Sequence, residues 1–189
     1  MRVYRSSNTL IGEQKKEGKV HPMFDIYKVA FFGHRRVEDI LDIEQQLLPI
    51  LQELFEEHTF VDFYVGRKGE FDEIAASLVR LVQRANKDRD CAMTTLTLVL
   101  PYPTKDLEYY EKYYDDIIIY EAEEKPHPKR AITERNRFMV DMVDLVIAYV
   151  DKQEGGAYQA MRYAQCQLKE LVLLRKHILS ECFPHWRKK

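Results

Sequence analysis

The chain predicts a single Rossmann-like α/β domain built on a doubly wound, mostly parallel sheet. Three observations carry that expectation. Short, almost wholly apolar runs, the pattern of strands covered on both faces, alternate with stretches whose apolar residues recur every three or four positions. Glycine or proline ends the first three apolar runs, at Gly33, Gly66 and Pro101. No Gly-, Ser- or Pro-rich linker divides the periodic region. Right-handed crossovers between parallel strands then favour helices on both faces of one open sheet.

Residues 1–24 are polar and lack a sustained period, with Gly12 and Gly18 bracketing a lysine pair. They read as an N-terminal arm or irregular cap, with room for one short strand, ahead of a domain at 25–189. The periodic part opens with YKVAFFGH at 27–34, a buried strand ended by Gly33. Over 37–57, Ile40, Ile43, Leu47, Leu48, Leu51, Leu54 and Phe55 share one helical face, and Pro49 marks a kink or a break into two pieces. FVDFYVG is the next strand, and 71–85 the next helix, with Ile74, Leu78, Leu81 and Val82 on one face. TTLTLVLPY is a third strand, stopped by Pro101 and Pro103, and is followed by a short tyrosine-rich helix over 106–114. DIIIY is a short strand, and Pro126 and Pro128 mark a loop before a helix at 131–142. LVIAYV is another strand, GGAYQAMRYAQCQ opens the last helix, and ELVLL is the final strand.

Composition bounds the rest. The 189 residues are 46% hydrophobic and 32% charged, enough to bury a core without a disulfide or metal staple. The net charge of −2 argues against attachment to nucleic acid through bulk positive charge, so nucleic acid is not expected among the partners. Cys91, Cys166 and Cys182 are widely spaced and form no CxxC pair, so neither a bound metal nor a disulfide framework is expected. The first residues lack an apolar signal core, and the longest apolar run, 145–150, falls far short of the roughly 20 residues of a membrane span. The expectation is a soluble cytoplasmic protein.

Five of the seven glycines, Gly33, Gly66, Gly69, Gly155 and Gly156, directly follow predicted strands. In an open parallel sheet those positions lie along one edge, where ligands bind. Glycine lets backbone approach a ligand closely, and a helix that starts there presents unpaired N–H groups to an anion. The charges cluster at the same places. His34, Arg35 and Arg36 follow the first strand, Arg67 lies between Gly66 and Gly69, and Arg135, Asn136 and Arg137 precede the LVIAYV strand. Arginine forks suit phosphate. The dinucleotide fingerprint GxGxxG, the P-loop, GxSxG and HExxH are all absent, which removes the common dehydrogenase, NTPase, hydrolase and zinc-protease readings. The tyrosines of 102–114 can stack on a base, but packing or a subunit interface is the commoner use of such a cluster.

FFGHR at 31–35, FYVGRKGEFDEIAA at 63–76, AITERNRFMVDMVDLVIAYV at 131–150 and GGAYQAMRYA at 155–164 closely resemble the YpsA-like (DUF1273) branch of the SLOG superfamily. That superfamily joins the Smf/DprA proteins with the LOG phosphoribohydrolases. The resemblance runs over about 28–174 and implies a Rossmann-like domain that binds a nucleotide or nucleotide-derived ligand as a sensor or accessory protein. No other cofactor follows from it, and a homodimer is open. In LOG enzymes a helix motif precedes a PGGxGTxxE loop whose last glutamate takes part in N-glycosidic hydrolysis. Arg135 matches the motif arginine, Asn136 stands where its lysine would be, and Gly155 and Gly156 match the paired glycines. Glu154 occupies the proline position, and 157–162 read Ala-Tyr-Gln-Ala-Met-Arg without the glutamate. That departure argues against LOG-type hydrolysis, because an oxocarbenium-like transition state needs a carboxylate beside it.

Two alternatives follow. An N-glycosidic hydrolase would have to use Glu73 or Asp72, with Glu134 a third candidate. A DprA-like, DNA-associated interaction protein is disfavoured by the acidic balance. In the leading case Gly33, His34, Arg35, Gly66, Arg67, Gly69, Arg135, Asn136, Gly155 and Gly156 form the ligand site. They should meet around one pocket beside the switch in strand order.

Overall fold

In the computed structural model, which describes residues 2–5, 26–67, 69–86, 93–121 and 127–175, the six apolar runs and the short segment Arg2–Arg5 form seven strands. In chain order the elements are β1 (Arg2–Arg5), β2 (Tyr27–Gly33), α1 (Ile40–Glu57), β3 (Phe60–Val65), α2 (Glu70–Ala85) and β4 (Met93–Leu100). They continue with α3 (Leu107–Tyr113), β5 (Asp116–Glu121), α4 (Pro128–Met142), β6 (Leu145–Tyr149), α5 (Gly155–Cys166) and β7 (Glu170–Leu174). Every strand pairing is parallel, in the order β1-β5-β4-β3-β2-β6-β7. The sheet is therefore wholly parallel, one step beyond the expected mostly parallel one. The only described part of the N-terminal arm, β1, is its edge strand beside β5; the rest of the arm lies outside the described residues.

From β2 the chain winds outward through β3, β4 and β5, then returns by α4 to β6 on the other side of β2. The switch in strand order thus falls between β2 and β6, whose carboxyl ends are in register at Gly33 and Tyr149. Ligands of open α/β sheets bind in the crevice at that point.

Period-two alternation divides each strand between two cores. Val29, Phe31, Phe63, Leu96 and Leu98 face α1 and α2, where they meet Ile43, Leu47, Leu51, Phe71 and Val79. Ala30, Phe32, Val146 and Ala148 face α4 and α5, and there Met139, Val140, Ala160 and Ala164 cover them. Helices on both faces explain why the strands read as continuous apolar runs.

Local differences from the sequence expectation have local causes. Helix α1 starts at Ile40, capped by Asp39, whose Oδ1 accepts the Asp42 N–H at 3.0 Å. Val37 stays outside because its N–H donates to Glu70 Oε2 at 2.7 Å. Pro49 sits within one continuous helix, and both it and Gln45, whose carbonyl loses its donor, are exposed. Helix α4 starts three residues early because Pro128 takes its first turn, where a missing N–H costs nothing, and His127 caps it. Ile40 and Leu81, assigned above to apolar faces, are 48% and 54% exposed at the margins of their stripes. Among the described residues no helix is long and apolar enough to cross a membrane.

Candidate functional site

A cavity of about 360 Å³ opens at the carboxyl edge where β2, β3, β4 and β6 end. Of the residues the sequence singled out, Gly33, His34, Arg35, Gly66, Arg67, Asp72, Arg135, Asn136, Gly155 and Gly156 line it. Gly69, Glu73 and Glu134 do not. Glu73 is exposed on α2, and Glu134 is engaged by Arg130, whose Nε donates to it at 2.8 Å.

The glycines at this edge serve different ends. A Cβ on Gly33 would fall 2.2 Å from the Phe71 ring, so Gly33 admits α2 close to the end of β2. A Cβ on Gly66 would stand 2.6 Å from Arg135 Nη1 and 2.8 Å from Asp72 Oδ2, so this glycine makes room for both charged groups. At Gly69 the nearest contacts would be ordinary, at 3.4 Å or more. Gly155 has a φ of +86°, a left-handed conformation at the first turn of α5, with open space around it. Gly156 faces the amide of Asn136, whose Nδ2 donates to the Gly156 carbonyl at 3.4 Å. Glu154, at the N-cap of α5, makes no side-chain bond to that helix's first turn. The N-terminus of α5, with its partial positive charge, thus borders the cavity without a side-chain cap.

Arg135 is the unusual residue. It is 8% exposed, brought into the wall by α4, and its Nη1 donates to the Val99 carbonyl at 3.2 Å and meets Met139 Sδ at 3.5 Å. Its buried Nε has no partner among the described residues. Burial pulls its pKa below the ordinary arginine range, while the charge of Asp72 and, to a lesser degree, Tyr102 hold it up. A guanidinium in such a place costs free energy unless something negative meets it.

The other basic residues are partly engaged in building the rim. His34 Nε2 accepts the N–H groups of Asp151 at 2.9 Å and Lys152 at 3.0 Å, which ties the β6–α5 loop to the end of β2. That contact requires the ring proton on Nδ1. The Arg35 carbonyl accepts the Glu70 N–H at 3.1 Å, leaving an exposed side chain on the cavity wall. Arg67 donates to Thr104 at 2.9 Å and Asp106 at 3.2 Å and lies 5.3 Å over the Tyr110 ring, so it latches the β4–α3 loop.

Tyr102, Pro101 and Ile132 also line the cavity and were not assigned to it from sequence. The signal was present for two of them: Pro101 and Tyr102 directly follow a strand, as the glycines do. The remaining tyrosines divide. Tyr109 is 69% exposed, whereas Tyr110 and Tyr114 lean on the apolar core.

No protein-family model matches the chain, and no curated protein is significantly similar to it in sequence. Among the solved structures that share its fold are two DNA processing proteins. DNA processing protein A from Helicobacter pylori, described for its single-stranded DNA binding mode, superposes with a TM-score of 0.56 at 22% identity, over 80% of this chain and 66% of that one. DNA processing protein A (DprA) from Streptococcus pneumoniae gives 0.58 at 16% identity, over 82% of this chain and 52% of that one. The chain therefore spans about two thirds of one and half of the other. These likenesses establish the Rossmann-like fold; neither singles out the YpsA-like branch. They also correct one expectation. A net charge of −2 does not set nucleic acid aside, since a protein of this fold binds single-stranded DNA. A local basic cleft does not depend on the charge of the whole molecule.

Proposed function

We propose that the chain is a SLOG-type protein that binds single-stranded DNA at the carboxyl edge of its sheet, with one phosphate held between Arg135 and the N-terminus of α5. The observation that carries this reading is the buried Arg135 guanidinium, whose Nε lacks a partner on the wall of an open cavity. A phosphate there would set a negative charge beside the guanidinium and meet the first-turn amides of α5 at the same time. Tyr102 offers a ring for the attached base. The single-stranded DNA binding of a protein that shares the fold supports the choice of polymer.

Fluorescence polarisation with a labelled thymidine hexanucleotide tests it. Binding should weaken steeply between ~50 and ~200 mM salt. Arg135→Met should keep the fold and lose binding by about tenfold or more, the loss expected of one charge-assisted contact. Absence of binding at low salt, or full binding by Arg135→Met, would overturn the proposal.

A second reading, a free nucleotide-derived ligand in the same cavity, is favoured by the cavity's size, which falls within the range of small-molecule sites. Stabilisation by AMP or ADP-ribose in a thermal-shift assay, without hexanucleotide binding, would select it.

A further inference from the structure

Beside the central cavity a groove of about 310 Å³ runs between α4 and α5, and the two share Asn136 and Gly156 as a common wall. Arg137 and Arg162 reach it from opposite helices, both exposed, and no carboxylate is among the residues that line it. Tyr158 and Tyr163 supply two half-buried rings. The second is held in place: its hydroxyl donates to Asp141 at 3.0 Å, and the Arg137 guanidinium lies 5.5 Å over its face. Arg162 Nη1 donates to Gln165 at 3.1 Å, which leaves most of its donors for a ligand.

Cations that follow a backbone, with rings on which bases stack, are the equipment of a surface for single strands. We infer that this groove is a second subsite of the same strand, taking the phosphate and base of the nucleotide adjacent to the one in the central cavity. The inference rests on the single-stranded DNA reading and extends it from one nucleotide to two. Continuity through Asn136 and Gly156 and the one-sided charge of the groove argue for this occupant. A neutral or basic partner would leave both arginines unmatched.

The test uses the full chain and the same thymidine hexanucleotide. Replacing both arginines, Arg137→Gln with Arg162→Gln, should weaken binding about tenfold or more and reduce the slope of log affinity against log salt by about 0.7, one single-strand phosphate contact. Cys166 gives a readout that needs no variant, because it is exposed and lines the groove. The hexanucleotide should slow its alkylation by N-ethylmaleimide at least severalfold, followed on its own peptide by mass spectrometry. If the double variant binds normally and Cys166 stays reactive while Arg135→Met abolishes binding, the second subsite is wrong and the first stands. If the unaltered chain does not bind the hexanucleotide at all, both fall.

Discussion

Nη1 of Arg135 lies 2.6 Å from the point where a Cβ on Gly66 would stand, so the buried cation depends on a missing side chain at the end of the neighbouring strand. The guanidinium is fixed by the Val99 carbonyl and by burial, and cannot swing aside at no cost. Gly66→Ala should therefore destabilise the protein by roughly 1–3 kcal/mol, the usual penalty of overpacking, and weaken hexanucleotide binding as well. Urea denaturation together with polarisation checks both effects. A stable variant with unchanged affinity would show that Arg135 has room the distances do not reveal.

Gly155 and Gly156 should respond differently although they are adjacent. Alanine at 155 meets no atom within 4 Å, but it must adopt a φ of +86° and should cost about 1–2 kcal/mol through the backbone alone. Valine at 156 should leave the melting temperature nearly unchanged, because that residue is exposed and its Cβ would meet only the Asn136 amide at 3.6 Å. Its branches would instead stand over the first turn of α5 and abolish ligand binding. Paired melting curves and binding isotherms for Gly155→Ala and Gly156→Val separate the backbone effect from the steric one.

His34 should make the rim sensitive to acid. Burial, the largest influence, lowers its pKa below the ordinary 6.5, with Lys152 acting in the same direction and Asp151 and Glu154 opposing. The unfolded chain consequently takes up a proton at a higher pH than the folded one. The stability that His34 contributes is complete above about 6.5 and is lost as pH falls below that value toward the lowered folded pKa. Protonation also places a hydrogen on Nε2, where Asp151 and Lys152 now donate. Urea unfolding from pH 8 to pH 5 should show the unaltered chain losing its advantage over His34→Gln as pH falls. A widening advantage would contradict the assignment.

Base release from nucleoside monophosphates should be absent. Of the three carboxylates considered for that chemistry, Glu73 and Glu134 do not line the cavity, and Asp72 lies with Arg135 around Gly66. Its charge is already matched against the buried guanidinium of Arg135. Chromatography of AMP, CMP and GMP after prolonged incubation provides the check; free base that disappears with Asp72→Asn would restore the hydrolytic alternative.

Much of the architecture was legible because strand and helix periods are local properties of the chain. The apolar runs at Val29, Phe63, Leu98 and Ile147 became central strands, and the glycines after β2, β3 and β6 marked the carboxyl edge before any strand order was known. Helix ends were less legible, since Val37 and Pro128 are placed by a distant Glu70 and by a neighbouring cap. Tyr102 was counted with the tyrosines of α3 because they share a segment, whereas it is the end of β4 that puts Tyr102 on the cavity wall.

The alternation of strands and helices was enough to fix the fold class and most of the residues gathered at the carboxyl edge, because few arrangements cover apolar faces on both sides. Tertiary structure alone decided what each of those residues does there. Gly33 yields to Phe71, Gly66 yields to Arg135 and Asp72, His34 holds a backbone loop and Arg67 latches another. Among the described residues on the cavity wall, Arg135 is left buried with an unpartnered donor. These roles depend on contacts between residues as many as 118 positions apart, as for His34 and Lys152, and no local pattern encodes such distances.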